Sequence, residues 1–206
     1  TAADTKAARQ NQAAVLLDNG KVFLAGGTSL SSCELYDPSA GTWATTGALG
    51  KVRELPTATV LLNGKVLIAG GKNGAAHHND GDVYDPQFGF SNPTGGVMGT
   101  NRAMHTATLL ASGKVLLAGG AQSNAAINST AELYDPGTDA FVSASFLFSQ
   151  RRLQAAAQLP NGKVLLIGGK DGGGNRSDAE LYDPGANTWS TVAGLMISQR
   201  AEHTAT

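Results

Sequence analysis

The stretch Asn161-Gly162-Lys163-Val164-Leu165-Leu166-Ile167-Gly168-Gly169 decides the fold, because the chain carries it four times. The other copies begin at Asn19, Asn63 and Ser112, and they close on Gly26-Gly27, Gly70-Gly71 and Gly119-Gly120. Behind each glycine pair, after a loop, the chain reads Tyr-Asp-Pro, beginning at Tyr36, Tyr84, Tyr134 and Tyr182. Self-similarity at a fixed period is the sequence signature of a repeat architecture.

An arginine marks the start of every unit. It stands eleven residues before the hairpin glycine of each copy, and a further one opens a fifth unit: Arg9, Arg53, Arg102, Arg151 and Arg200. Counted between successive hairpin glycines, the units are 44, 49 and 49 residues long. Such registration indicates true internal repeats.

Each unit predicts four strands. The first strand is rich in small residues and covers 12–17, 56–62, 105–111 and 154–159. An Asn-Gly or Ser-Gly turn then leads into a second strand that is apolar on both faces, which indicates cover on both sides. The third strand ends at Asp-Pro, because proline cannot donate to a continuing ladder. The fourth strand centres on an aromatic residue: Trp43, Phe90, Phe141 or Trp189.

Four-stranded sheets with two apolar faces need a neighbour on each side, and radial stacking provides it. The sequence therefore predicts an all-β propeller with blades near 9–46, 53–92, 102–144 and 151–192. Residues 200–206 begin the next repeat, as the first strand of a fifth blade. Small residues in the first strands are expected to crowd around a central axis.

Composition excludes several classes of partner. The chain has 206 residues, 27 glycines and a net charge of −1, without a dense run of lysine or arginine. A broad surface for nucleic acid or acidic membranes is therefore not expected. No apolar run approaches the length of a membrane span. The single cysteine, Cys33, permits no intrachain disulfide.

The order of arginine, hairpin glycine, Gly-Gly, Glu-Leu-Tyr-Asp-Pro and tryptophan resembles the kelch repeat across nearly the whole chain. Phe90, Phe141 and Asp82 depart from that pattern. The resemblance implies a propeller blade of four antiparallel strands per unit, a ring of six or seven blades, and a secreted or cell-surface protein. Because 1–15 match the phase of 192–206, we expect a part of a larger ring, or a ring completed by another copy of the chain in a homo-oligomer.

The arginine series allows two interpretations. Unit-to-unit linkers and the loops between second and third strands open on one side, so the arginines are candidates to ring the channel mouth and bind carboxylate or phosphate. In kelch adaptor proteins that capture acidic peptides, arginines at similar positions do this, and the resemblance implies it here. The alternative, which we favour, is an internal pair with the acid of each third strand: Glu34, Asp82, Glu132 or Glu180.

His105 and His203 fill one repeat position, which holds Gln12, Pro56 and Gln154 in the other units. Near the channel they are candidates for ligand binding, although a hydrogen-bonded structural role is favoured. One histidine per blade gives no metal-ligand spacing, so no metal and no cofactor are predicted. The loops 72–81, 121–130 and 170–178 differ between units, which suits partner specificity. Residues 171–175, rich in glycine, are expected to form a flexible linker.

The predicted function is non-catalytic binding of a protein or glycan through the arginine-bearing mouth and its loops. The alternative is a part of a galactose-oxidase-like copper radical oxidase whose catalytic residues lie outside this chain. Such chemistry, as the resemblance implies it, needs a cysteine cross-linked to a tyrosine, with tyrosine and histidine copper ligands. Here all four tyrosines belong to Tyr-Asp-Pro, and Cys33 fills a position that holds alanine in two other units.

Overall fold

The structure, a computed structural model, describes residues 4–205. Its regular elements in that range are strands, and no helix there is long and apolar enough to cross a membrane. The strands form four antiparallel sheets of four, each with its strands in chain order. The predicted all-β architecture of four four-stranded units is therefore confirmed.

Each unit contributes one sheet, and two units add a two-stranded hairpin. The first sheet contains β1 (Ala13–Leu16), β2 (Val22–Ala25), β3 (Cys33–Asp37) and β4 (Thr42–Thr46). The second contains β5 (Thr57–Val60), β6 (Val66–Ala69), β9 (Gly81–Asp85) and β10 (Phe90–Pro93), with the hairpin β7 (Lys72–Asn73) and β8 (Ala76–His77). The third contains β11 (Thr106–Leu109), β12 (Val115–Ala118), β13 (Ala131–Asp135) and β14 (Ala140–Ser143). The fourth contains β15 (Ala155–Gln158), β16 (Val164–Ile167), β19 (Ala179–Asp183) and β20 (Thr188–Thr191), with the hairpin β17 (Lys170–Asp171) and β18 (Gly174–Asn175).

The turn between the first and second strands depends on its glycine. Gly64 has a φ of 77°, in the left-handed region that favours glycine, and its amide donates to the Leu61 carbonyl at 2.9 Å. Lys65 follows, and its Nζ lies 3.0 Å from a carboxylate oxygen of Asp85. The same lysine–aspartate pair recurs in all four units, where it ties the hairpin turn to Tyr-Asp-Pro: Lys21–Asp37, Lys114–Asp135 and Lys163–Asp183 are the others.

The hydrophobic core lies between the sheets rather than within one of them. The second strand alternates, so that Val115 and Leu117 pack with the second unit while Leu116 and Ala118 pack with the fourth. A third cluster of the same kind joins the first and second units around Phe23. Both faces of the inner sheets are therefore buried, as continuous apolar strands require.

The first strands form the hub of this arrangement. β1 contacts β5, β5 contacts β11, and β11 contacts β15. Small residues of these strands pack against the cores between neighbouring sheets, among them Ala58 and Ala107. Neighbouring sheets thus converge on one axis, which is the geometry of propeller blades.

The glycine pair at the end of each second strand is the joint between units. Gly71 donates its amide to the carbonyl oxygen of Arg102, 2.9 Å away in the next unit. A Cβ atom on Gly70 would lie 2.3 Å from the same oxygen, well inside van der Waals contact. No residue with a side chain fits this approach, which explains why the pair recurs in every unit.

Residues 200–205 begin a fifth unit in the expected place. The Arg200 carbonyl accepts the Gly169 amide at 2.9 Å, and the Glu202 amide donates to the Leu153 carbonyl at 2.9 Å. They form no strand, because a first strand needs the second strand of its own hairpin as a partner. On this side of the fourth sheet Leu165 and Ile167 are only half-buried. Completion of the ring by more blades or by a second copy stays a prediction.

The glycine-rich segment 171–175 is not a flexible linker, so that expectation is wrong. Lys170 pairs with Asn175 and Asp171 with Gly174 in the hairpin of β17 and β18. The Asp171 carboxylate accepts the amides of Gly173 and Gly174 at 2.7 and 3.1 Å, which closes the turn. Glycine supplies the turn conformation, and aspartate supplies the bonds that order it.

Candidate functional site

The repeated arginine lies inside its unit and pairs with the acid of the third strand. Arg102 has no exposed surface, and its Nη2 donates to Glu132 Oε1 at 2.6 Å. Its Nη1 donates to the carbonyl oxygen of Gly119 at 2.9 Å. The same arrangement occurs in the other units, as Arg9–Glu34, Arg53–Asp82 and Arg151–Glu180. The guanidinium group therefore connects the linker, the glycine pair and the third strand of one blade.

The acid of each pair also holds the linker that enters its blade. Glu132 accepts the amides of Gly99 and Thr100 at 2.7 and 3.3 Å. Burial opposes ionisation of Glu34, but hydrogen bonds from the Lys6 amide and from Arg9 keep the pKa of this carboxyl below its ordinary value. A buried carboxylate with such donors is charged and satisfied.

The placement of the arginines at the channel mouth is therefore corrected. Arg53, Arg102 and Arg151 are fully buried, and the Arg9 side chain is 2% exposed. Their guanidinium groups are engaged by carboxylates and carbonyls, so they are not presented to a ligand. Arg200 alone of the series is exposed, and its Nη2 donates to Ser198 Oγ at 2.7 Å. Ligand binding by the arginines stays a prediction, and their burial counts against it.

What does line the mouth is a row of residues that each stand two positions after an arginine. All five have a positive φ: Asn11 (59°), Leu55 (53°), Met104 (58°), Leu153 (57°) and Glu202 (60°). From Leu55 onward each amide donates to the carbonyl oxygen of the preceding member, as Leu153 does to Met104 at 2.9 Å. This conformation costs a non-glycine residue about 1–2 kcal/mol. The backbone therefore runs from blade to blade in a strained, hydrogen-bonded collar.

The collar borders an open cavity of about 310 Å³ at the mouth. Its walls are formed by four collar residues and by the residues that directly follow the collar positions. The collar residues are Leu55, Met104, Leu153 and Glu202, and the residues after the collar positions are Gln12, Pro56, His105, Gln154 and His203. The structure thus brings the two predicted histidines to one cavity and leaves the arginines out of it. Among the lining residues, Glu202 carries the formal charge.

His105 and Gln154 lie deep in this cavity, and each is 7% exposed. His105 Nε2 is 3.0 Å from Thr57 Oγ1, while its Nδ1 has no partner. Burial, followed by the charge of Arg102, holds the pKa of His105 well below its ordinary value, so the ring is neutral. Gln154 Nε2 donates to the Ala118 carbonyl at 2.8 Å, which leaves Oε1 without a donor.

His203 has the same place in the fifth unit. Neither of its ring nitrogens has a partner among the described residues. Burial and the charge of Arg200 lower the pKa of His203. Residues 4–205 contain no group of three or more His, Cys, Asp and Glu side chains arranged to hold a metal ion.

The groups that the oxidase alternative would use have structural partners. Tyr134 donates its hydroxyl to Asp139 Oδ1 at 2.7 Å, and Tyr182 donates to Asn187 Oδ1 at 2.9 Å. Cys33 is fully buried, and burial raises the pKa of its thiol to about 12. A thiol in that state is a poor nucleophile. These side chains give the oxidase alternative no support.

Sequence reasoning missed two exposed phenylalanines in the linker between the third and fourth blades. The side chains of Phe146 and Phe148 are 70% and 65% exposed, while Leu147 between them is 4% exposed. Phe148 is held by a hydrogen bond from its amide to Glu180 Oε2 at 2.8 Å. The corresponding positions are Val97 and Gly99 in the preceding linker and Leu195 and Ile197 in the following one, so comparison of the repeats is the signal that could have drawn attention to the pair.

This geometry defines a β-propeller module, and comparison with known proteins shows which repeats and which solved structure it resembles. Residues 151–196 match the family model of the Kelch motif. The solved structure of YjhT superposes with a TM-score of 0.79 at 18% identity, covering 96% of this chain and 69% of that chain. A search of curated proteins found no match. The resemblance to kelch repeats is confirmed.

Proposed function

We propose that the chain is a non-catalytic recognition module that binds a protein partner through its linker face, the side that carries the channel mouth and the linkers between blades. The observation that carries the proposal is the exposure of Phe146 and Phe148 on a rigid segment of that face. Aromatic side chains are enriched at protein–protein interfaces, and a few such anchors supply most of the binding energy.

The backbone of the segment is fixed at successive residues. The Leu147 amide donates to the Ser129 carbonyl at 2.8 Å, and the Ser149 amide donates to Glu180 Oε1 at 3.1 Å. Ser145 Oγ donates to the Asn187 carbonyl at 2.6 Å. A pre-ordered segment loses little conformational entropy when a partner covers it. The two rings are thus presented in a conformation that suits docking.

The internal repeats show which of these features the fold needs, and the following linker also carries exposed apolar residues, Leu195 and Ile197, at the two equivalent positions. In the preceding linker the residue equivalent to Phe148 is Gly99, whose amide makes the same bond to the acid of the next unit, at 2.7 Å to Glu132. The fold therefore needs only the backbone at this position. A phenylalanine side chain that is 65% exposed adds nothing to the blade core, and recognition accounts for it better than packing does.

The buried arginines offer no free guanidinium group to an acidic ligand. Acidic ligands are bound through paired hydrogen bonds to free guanidinium groups. In this chain Arg53, Arg102 and Arg151 already form ion pairs with carboxylates within their own blades. The proposed interface is accordingly apolar at its centre, with the polar loops 72–81, 121–130 and 170–178 at its rim.

Selection from a phage-displayed peptide library tests the proposal. The protein is compared with a Phe146→Ser, Phe148→Ser double variant and with a matched control, Phe88→Ser. Phe88 is 65% exposed but lies in the turn between β9 and β10, outside the linker that carries the phenylalanine pair. All three proteins should melt within about 2 °C of one another, since exposed substitutions change stability little.

We expect peptides with apolar residues to be enriched on the wild-type protein and on Phe88→Ser, and to be lost from the double variant. Peptides that bind all three proteins equally would remove the phenylalanine pair from the interface. A glycan array that yields ligands where the peptide library yields none would replace the protein partner by a glycan.

A further inference from the structure

The cavity at the channel mouth combines an apolar rim with a neutral polar floor. Leu55, Met104 and Leu153 form the rim and are half-buried. His105 and Gln154 line the same cavity and are each 7% exposed. This division of apolar and polar groups is typical of a pocket that orients a ligand by a few buried polar atoms.

The apolar rim is held at a conformational cost that the fold does not require. Leu55, Met104 and Leu153 have φ values of 53–58°, in the left-handed region that favours glycine and asparagine. Asn11 fills the same position in the first unit and makes the same backbone bond, accepting the Leu55 amide at 2.8 Å. The collar therefore forms without leucine or methionine. Leucine and methionine are kept at backbone positions where asparagine would be less strained, which indicates a role for their side chains.

The polar floor has unused hydrogen-bonding capacity. Gln154 is oriented by its bond to the Ala118 carbonyl, so Oε1 is left as an acceptor without a donor. His105 Nδ1 is likewise buried without a partner. Buried polar atoms in native proteins are normally satisfied, and an unsatisfied one carries a desolvation cost that a suitable ligand removes.

The charges around the cavity disfavour an anion. The guanidinium groups of Arg102 and Arg151 are bound to Glu132 and Glu180 inside their blades, and that of Arg200, which lies near His203, donates to Ser198 Oγ. The formal charge among the lining residues is the carboxylate of Glu202. A carboxylate or phosphate placed here would lose hydration beside the Glu202 carboxylate, where the guanidinium groups of Arg102 and Arg151 are already paired, which is costly.

We propose that the channel mouth receives an uncharged side chain with an apolar body and a hydrogen-bond donor, a tyrosine or tryptophan of the bound protein. The ring packs against Leu55, Met104 and Leu153, and its O–H or N–H donates to Gln154 Oε1. The inference rests on the proposed function, because the side chain comes from the protein partner. It also differs from acidic-peptide capture, which the arginine series alone would suggest.

Two small probes of similar size separate the classes of ligand. p-Cresol carries the phenol of tyrosine, and 4-methylbenzoate carries a carboxylate on the same ring. In protein labelled with ¹³C at the methionine methyl groups, Met104 reports on the mouth, and Met98, 1% exposed in the core, is the internal reference. We expect p-cresol to shift Met104 saturably and Met98 not at all, with 4-methylbenzoate at least about tenfold weaker. A stronger response to 4-methylbenzoate, or none to p-cresol, overturns the inference.

Leu153→Gly separates recognition from folding. Glycine relieves the positive φ and keeps the backbone bond, so the melting temperature should stay unchanged or rise. The affinity for p-cresol should fall by about tenfold, because one wall of the pocket is lost. Unchanged affinity contradicts the inference. Gln154→Met removes the acceptor at similar volume and should also weaken p-cresol binding, whereas retained affinity in that variant excludes the assigned hydrogen bond.

The two proposals fail separately. Phe148→Ser lies outside the cavity and should leave p-cresol binding as it is. Peptides enriched on the linker face without any response of Met104 to p-cresol would remove the pocket and keep the interface. A saturable p-cresol response without enriched peptides would support the pocket but would contradict a protein partner as the origin of the side chain that it binds.

Discussion

Replacing Arg102 by alanine breaks a buried ion pair from one side. Arg102 is fully buried, its Nη2 lies 2.6 Å from Glu132 Oε1, and the Glu132 side chain is 5% exposed. The variant leaves a carboxylate in the interior with the amides of Gly99 and Thr100 as its donors. Breaking such a pair costs about 3–5 kcal/mol, and the two amides place this case near the lower end.

At about 3 kcal/mol, a protein of this size should lose about 6–12 °C in melting temperature. The assay is thermal and urea unfolding followed by tryptophan fluorescence, since Trp43 and Trp189 lie in the first and fourth blades. The matched control is Arg200→Ala, which removes the exposed arginine of the same series and should change stability by less than about 0.5 kcal/mol.

A double-mutant cycle identifies the cause of the loss. Replacement of both partners, Arg102→Met with Glu132→Met, leaves no unpaired charge and should cost less than the two single changes together. Equal stability of Arg102→Ala and Arg200→Ala would refute the assignment of the arginine to the blade interior. So would strictly additive effects in the cycle.

Three further predictions concern the joints, an acid and the thiol. Gly119→Ala should unfold well below Gly162→Ala in a thermal melt, because a Cβ at Gly119 would lie 2.6 Å from the Arg151 carbonyl, whereas nothing lies within 4 Å of one at Gly162. A hydrogen bond from Arg176 lowers the pKa of Asp178 to about 2, so the stabilisation is fully present above the ordinary pKa and is lost as the pH falls through about 2. Asp178→Asn should therefore weaken urea resistance at pH 7, with the difference from wild type vanishing below about pH 2. Cys33, whose pKa is raised to about 12 by burial, should resist a thiol reagent at pH 8 in the native protein and react at once in urea, and rapid native reaction would contradict its burial.

The sequence predicts most of the fold because the blade is specified locally and repeated. Each element has its own local signal: a strand that is apolar on both faces, such as Val115–Ala118, a glycine in the hairpin turn, and Asp-Pro at the end of the third strand. Any one of these signals is ambiguous in a single copy, but four copies in the same order are not. The first, second, third and fourth strands accordingly lie where the pattern predicts them. The hairpin of β17 and β18 was missed, because Gly172-Gly173 looks unstructured unless the bonds from Asp171 are known.

The candidate site is less predictable, since it depends on which side chains face the axis. The spacing of the arginines is equally compatible with a surface ring and with an internal pair, and only the partners of Arg102 distinguish them. The positive φ of Leu55, Met104 and Leu153 leaves no mark in the sequence, because leucine and methionine are unusual in that conformation. Their position two residues after each arginine is a signal that comparison of the repeats makes visible.

The most direct test of the account is a map of arginine reactivity in the native protein. A dicarbonyl reagent modifies guanidinium groups that solvent reaches, and peptide mass spectrometry assigns the modified residues. We expect Arg53, Arg102 and Arg151, all fully buried, to stay unmodified until the protein unfolds, while the exposed Arg200 reacts rapidly. Modification of the three buried arginines at the rate of Arg200 would place them at the mouth and contradict the account.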